Sequence, residues 1–127
     1  MKKQDLPLSP HLQIYKPQIT SLLSISHRIS GVALNFVLVI LVLGLLCITL
    51  GESYFELLIS LINSFPIKII IFLAILGFSY HFLNGIRHII WDFGFLLGNR
   101  SSAIFGYFII VTSFISSIFI SRLLGLF

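Results

Sequence analysis

Charge is what this sequence has least of. Lys, Arg, Asp and Glu make up only 9% of its 127 residues, where a soluble domain carries about a quarter. Cysteine occurs once, at Cys47, which excludes an intrachain disulfide and any thiolate cluster. Inside an apolar run it reads as a small packing residue. Proline is confined to Pro7, Pro10, Pro17 and Pro66, so the longest apolar stretches are unbroken. Internal repeats and low-complexity tracts are missing too, beyond a bias to Ile, Leu, Phe and Ser.

What is present is lipid-compatible surface. Hydrophobic residues make up 57% of the chain. Gly31 to Leu50 and Ala103 to Ser121 are uncharged, and Ile69 to Ile86 holds His81 but no Lys, Arg, Asp or Glu. Each run suffices for a bilayer core of about 30 Å, which takes roughly 20 helical residues. The expectation is an all-α membrane protein, a single domain over 1–127. It has an N-terminal arm (1–20), helix one (21–50), helix two (66–93) and helix three (103–124). Pro7, Pro10 and Pro17 keep the arm extended. Thr20 or Ser21 is the expected N-cap of helix one. Gly51 and Glu52 end that helix, Glu52 and Glu56 belong to the loop that follows, Pro66 stands in the first turn of helix two, and LLGNRSS forms a short polar connection. Gly106, Ser113, Ser117 and Ser121 share one face of helix three, a spacing that lets membrane helices approach closely.

The formal net charge of +4 does not point to nucleic acid, because of where the charges fall. Lys2, Lys3, Lys16 and Arg28 precede the first span, and Arg87 and Arg100 flank the loop after the second. Only Lys68 and Arg122 belong to the other side. By the positive-inside rule the N-terminus faces the cytoplasm or mitochondrial matrix, and the C-terminus lies opposite. The first lysines resemble a signal-peptide start, but a long polar stretch precedes the first apolar run and no small-residue cleavage site follows it. The segment reads as a mature arm.

Against that background the stretch SYHFLNGIRHIIWDFG, residues 79–94, gathers polar groups where lipid makes them expensive. Gly77, His81, Gly85 and His88 project from one side of a helix, with Asn84 beside them. One reading has His81 hydrogen-bonding a neighbouring helix. The other uses the room left by the glycines for something large and flat, and the second histidine on the same face favours it. A bare metal ion needs clustered ligands that this span lacks. Haem iron takes one imidazole per face and brings its other nitrogens itself. His88 lies about 10 Å along the axis from His81, too far on one helix to reach the opposite face of the same iron. A six-coordinate haem then requires its other ligand from a different chain, with His88 near a propionate.

The second constellation is SISHRISG, residues 24–31. Ser24, His27, Arg28 and Gly31 repeat along one helical face at the cytoplasmic entry to the first span. Arg28 reads either as an interfacial anchor snorkelling to lipid phosphates or as a fixed cation for a propionate or a reduced quinone, with Ser24 offering a hydroxyl to a quinone carbonyl. By depth this face lies level with His88, so both clusters meet in one pocket. Asp92, one turn beyond His88, pairs with a cation or relays protons, and pairing is favoured. Trp91 and Tyr80 read as belt and core aromatics.

SPHLQIYKPQITSLLSISHRISG followed by HFLNGIRHIIWDFG resembles the cytochrome b subunit of succinate dehydrogenase, the first membrane-anchor subunit of respiratory complex II. The likeness covers the arm, all the spans and their spacing, and the Ser-x-x-His-Arg and His-x6-His patterns are intact. It implies that His81 is an axial ligand of haem b, with the other ligand supplied by a second anchor subunit. It also implies that Ser24 and Arg28 belong to a ubiquinone site, and that His27, Arg28 and His88 surround the haem propionates. The implied partners are that second anchor subunit, an iron–sulfur subunit, a flavoprotein subunit and membrane lipid. The implied place is a bacterial or mitochondrial inner membrane, and the implied activity is succinate:quinone oxidoreduction by the complex, with no catalysis by this chain alone. Two alternatives stay open: an anchor of fumarate reductase or of another quinone-linked haem b protein, and a small proton-coupled transporter.

Overall fold

The computed structural model describes residues 16–127, so the expected arm before Lys16, with Pro7 and Pro10, lies outside the described residues. The remainder is helical: α1 (Ile19–Thr49), α2 (Glu52–Asn63), α3 (Phe65–Asp92) and α4 (Asn99–Leu123). The helices α1, α3 and α4 are each long and apolar enough to cross a membrane, which agrees with the all-α reading. At 1.5 Å per residue α1 rises about 46 Å and α4 about 37 Å, against a hydrocarbon core of about 30 Å. The helix α3 packs on both α1 and α4, and α2 rests against α1 and α3.

The distribution of side chains inverts that of a water-soluble domain. Apolar residues such as Phe36, Ile40, Phe119 and Leu123 face outward, and among the large apolar side chains of the described residues only Leu23, Ile109 and Leu126 are buried. Ser30, Ser79, Asn84, Arg87, Ser102, Ser113, Ser117 and Ser121 are buried instead. Lipid tails are as apolar as leucine, so helix association in a bilayer gains from close van der Waals approach and interhelical hydrogen bonds. The expected small-residue face of the last helix serves that end: Gly106, Ser113, Ser117 and Ser121 are all buried. A Cβ at Gly106 would run into the Leu23 side chain, so the α1 leucine occupies the space this α4 glycine leaves.

Helix boundaries differ from the sequence reading in instructive ways. The N-cap of α1 is Gln18, not Thr20 or Ser21; its carbonyl accepts the N–H groups of Ser21 and Leu22 at 3.0 and 3.1 Å. Helical geometry begins as soon as Pro17 is passed, and no side-chain cap is used. Glu52 does not close α1. It opens α2, after Gly51 turns the chain at φ 114°, a conformation other residues avoid. An acidic residue in a first turn suits the helix dipole, and Leu58 of α2 lies 4.0 Å from the Cβ position at Gly44 of α1. Glu52 and Glu56 therefore belong to a helix and not to a loop. Pro66 sits in the first turn of α3 as expected. At the other end Gly94, at φ 81°, donates to Trp91 O at 2.8 Å while Phe95 donates to Ile90 O at 3.2 Å. This Schellman closure stops α3 one residue short of the expected 93. The polar connection is shorter than LLGNRSS, because α4 already begins at Asn99, with the Gly98 carbonyl accepting from Ser102 N and Ser101 Oγ at 2.9 Å each.

Because Leu23 fills the space beside Gly106, Gly106→Val should destabilise the bundle by about 1–3 kcal/mol through overpacking. Adding Leu23→Ala should recover part of that loss. Thermal unfolding in detergent of the assembled protein checks both.

Candidate cofactor site at the α1–α3 junction

Antiparallel packing brings SISHRISG of α1 alongside the last three turns of α3. The His27 ring lies 4.1 Å from the His81 ring (centroid to centroid, 53° between planes) and 5.2 Å from His88, with which it stacks at 19°. The two histidine-bearing motifs thus meet in one cluster, as their matched depth predicts. Stacked rings present faces to each other and do not converge their nitrogens. Among the described residues no group of His, Cys, Asp or Glu side chains forms a metal-ion site.

His81 is anchored through one nitrogen. Its Nδ1 lies 3.1 Å from Ser30 Oγ and 3.2 Å from the His27 carbonyl oxygen. The contact to a neighbouring helix is therefore real, and it leaves Nε2 uncommitted. The ring edge rests against Gly31, where an added Cβ would stand 2.9 Å from His81 Cε1. At Gly77 and Gly85 an added Cβ would meet nothing within 4 Å, so α3 offers open room above and below His81. His27 Nε2 is buried and has no hydrogen-bond partner. One imidazole with a free nitrogen, an open flank around it and an orphaned buried polar atom beside it fit a haem, which needs a single ligand from this side.

Other expected site residues stand apart. Ser24 is half-exposed one turn before His27, and Arg28 and Asp92 are exposed; none of them joins the ring stack. Tyr80 is more than a core aromatic, because its hydroxyl donates to the Leu23 carbonyl at 2.8 Å and ties α3 to α1.

Arg87 overturns its sequence assignment. It does not flank a loop: it is fully buried between α3 and α4. Nη1 donates to Asn84 Oδ1 at 3.3 Å, and Nη2 donates to Ser102 O at 3.2 Å and Ser102 Oγ at 2.9 Å. The guanidinium lies 4.1 Å from the Trp91 ring centroid, a cation–π contact that gains strength where water is excluded. Trp91 in turn stands edge-on to His88 at 5.1 Å. The sequence signal was available in the i, i+3 and i, i+4 spacing of Asn84, Arg87 and Trp91, but the Ser102 partner was not. Ser30 was likewise passed over, although it stands one turn after His27 in the same motif.

The family described as the succinate dehydrogenase/fumarate reductase transmembrane subunit matches residues 2–120. A succinate dehydrogenase cytochrome b556 subunit from Rickettsia typhi is 45% identical over 107 residues, covering 84% of this chain and 83% of that protein. The corresponding Rickettsia prowazekii protein is 44% identical over the same length, with coverage of 84% and 83%. A succinate dehydrogenase cytochrome b560 subunit from Chondrus crispus is 41% identical over 119 residues, covering 87% of this chain and 90% of that one.

Arg87→Lys keeps the charge but loses the fork that spans Asn84 and Ser102 and the flat stack on Trp91. The substitution should cost about 1–3 kcal/mol of stability, seen as a lower midpoint of thermal unfolding in detergent.

Proposed function

The chain belongs to the succinate dehydrogenase/fumarate reductase transmembrane subunit family, and on that premise we propose that it is the haem b-bearing membrane subunit of a succinate dehydrogenase, forming part of its ubiquinone site. The observation that carries this reading is the environment of His81: Nδ1 engaged with α1, Nε2 free, and open room at Gly77 and Gly85. The relatives' names favour succinate dehydrogenase over the fumarate reductase alternative.

When bound, haem b supplies a one-electron store close to the quinone. His81 would hold it through Nε2, and a further ligand would come from a second anchor subunit, because His27 and His88 are stacked on each other across the α1–α3 junction. His27 donates from its buried, unpartnered Nε2 towards a propionate. His88 and Arg28 complete that anionic environment at the same end of the bundle. Ser24 donates a hydroxyl hydrogen to a quinone carbonyl, and the exposed Arg28 supplies the cation that offsets negative charge as the quinone is reduced. Asp92, exposed and outside the stack, is placed to pair with a cation or relay protons, and pairing is the favoured role. Succinate oxidation falls to a flavoprotein subunit, and an iron–sulfur subunit passes electrons to the membrane.

Buried Arg87 is removed from the charge asymmetry, which leaves Lys2, Lys3, Lys16, Arg28 and Arg100 against Lys68 and Arg122. The bias still sets the N-terminus on the cytoplasmic or matrix side of a bacterial or mitochondrial inner membrane.

His81→Ala should abolish the low-spin haem spectrum of the assembled complex. Gly85→Ala should lower haem content while leaving the bundle folded, because its methyl meets no protein atom within 4 Å. Absorption spectra of the purified complexes check both, and an unchanged low-spin spectrum in His81→Ala would overturn the assignment.

Ser24→Ala removes a hydrogen bond worth about 1 kcal/mol, so quinone reduction should fall several-fold. Arg28→Leu should do more harm, since it also strips the counter-ion from a developing negative charge. Electron transfer from succinate to a soluble artificial acceptor should stay near normal in both. Normal quinone reduction in both variants would reduce this face to a lipid anchor.

A further inference from the structure

The imidazole of His81 is gripped entirely from α1. Its Nδ1 lies 3.1 Å from Ser30 Oγ and 3.2 Å from the His27 carbonyl oxygen, and the Ser30 hydroxyl is 2.8 Å from that same carbonyl. A backbone carbonyl only accepts, and a serine hydroxyl has one hydrogen to give. The hydroxyl donates along the shorter contact, to the carbonyl, and turns its lone pairs towards the ring. Nδ1 therefore faces two acceptors, and the arrangement closes only with the proton on Nδ1. The other tautomer would set a ring lone pair against the carbonyl lone pairs. Nε2 is left as the basic nitrogen.

Gly31 restricts the same ring from the next position along α1. A Cβ there would stand 2.9 Å from His81 Cε1, the carbon between the two nitrogens, and 3.5 Å from Nδ1. No side chain larger than hydrogen leaves the ring where it is. The His27 carbonyl and the Ser30 hydroxyl together fix which nitrogen carries the proton, and Gly31 fixes how the ring is turned.

We propose that Ser30 and Gly31 are positioning residues for the bond His81 makes to the haem: Ser30, beside the His27 carbonyl, is a second acceptor for the Nδ1 proton and strengthens Nε2 as the ligating atom, and Gly31 sets the plane of the ring. The inference rests on the haem reading above and deepens it. A ring N–H that donates to good acceptors makes the opposite nitrogen a stronger donor to a metal. Stronger donation favours ferric over ferrous iron, so loss of the Ser30 acceptor should raise the midpoint potential.

The test compares wild type, Ser30→Ala, Ser30→Thr, Gly31→Ala and His81→Ala in the complex assembled with its partner subunits. The readouts are the electron paramagnetic resonance spectrum of the ferric haem and its midpoint potential. Ser30→Ala should raise the potential and shift the low-spin signal, and Ser30→Thr, which restores the hydroxyl, should return both to wild type. Gly31→Ala should shift the signal by turning the ring. A wild-type spectrum and potential in Ser30→Ala would overturn the proposal, as would a Ser30→Thr variant as altered as Ser30→Ala. Should Ser30→Ala fail to assemble, Gly31→Ala decides: a wild-type signal there overturns the proposal and a shifted one supports it. His81→Ala separates the two levels. If it keeps the wild-type low-spin signal, the ligand assignment itself fails. If it loses that signal while Ser30→Ala is unchanged, only the positioning role fails.

Discussion

A guanidinium with no carboxylate partner among the described residues, buried where lipid surrounds the bundle, constrains everything near it. Arg87 meets that constraint with dipoles: the Asn84 side chain, the Ser102 carbonyl and the Ser102 hydroxyl, with the Trp91 face beneath. Each partner is thereby fixed in place. Trp91 is held edge-on to His88, His88 stacks on His27, and His27 leans on His81. The path from the α3–α4 seam to the α1–α3 junction is a continuous series of contacts between flat polar groups. Buried ionisable groups in a membrane are rare because they are expensive, and here the Nη groups are met by an arrangement that also orders the site, while Arg87 Nε and Trp91 Nε1 are buried without a partner.

The same economy explains the rest of the interior. Serines fill the seam between α3 and α4, several of them returning their hydrogen to their own helix, as Ser113 does to Ile110 O at 2.8 Å. A hydroxyl satisfied within its own helix presents a small, nearly apolar surface to the neighbour, and close approach follows. Leucine and phenylalanine are left to face the lipid. Hydrogen bonds between helices are found where Arg87 of α3 reaches Ser102 of α4 and, at the α1–α3 contact, from Tyr80 to Leu23 and between Ser30 and His81. The α1–α3 contact is where the proposed chemistry lies.

How much of this was legible beforehand depends on whether the governing relation is local. The spans were legible because a bilayer imposes a minimum apolar length. The convergence of SISHRISG with His81 and His88 was legible because depth in a membrane can be counted along a helix. The helix α2 was missed because Glu52 and Glu56 read as loop charges, and only the positive φ at Gly51 shows that the chain restarts there. The role of Arg87 was missed because a basic residue near a helix end looks like a topology signal, and its decisive partner, Ser102, lies across the connection on another helix. Ser30 was missed for the same reason: its significance is a contact with a ring 51 positions away.

The clamp between Arg87 and Ser102 joins the last turns of α3 to the first turn of α4, so this end of the bundle is stiff. The opposite end is joined differently, through Gly51 and the short helix α2, which lies against α1 and α3 with no comparable polar lock among the described residues. A bilayer that thickens or thins with growth temperature or sterol content has to be accommodated somewhere along helices of unequal length. The Arg87–Ser102 bonds and the histidine stack lie at the same end of the bundle, away from the Gly51 turn where such a mismatch would meet fewer specific polar contacts.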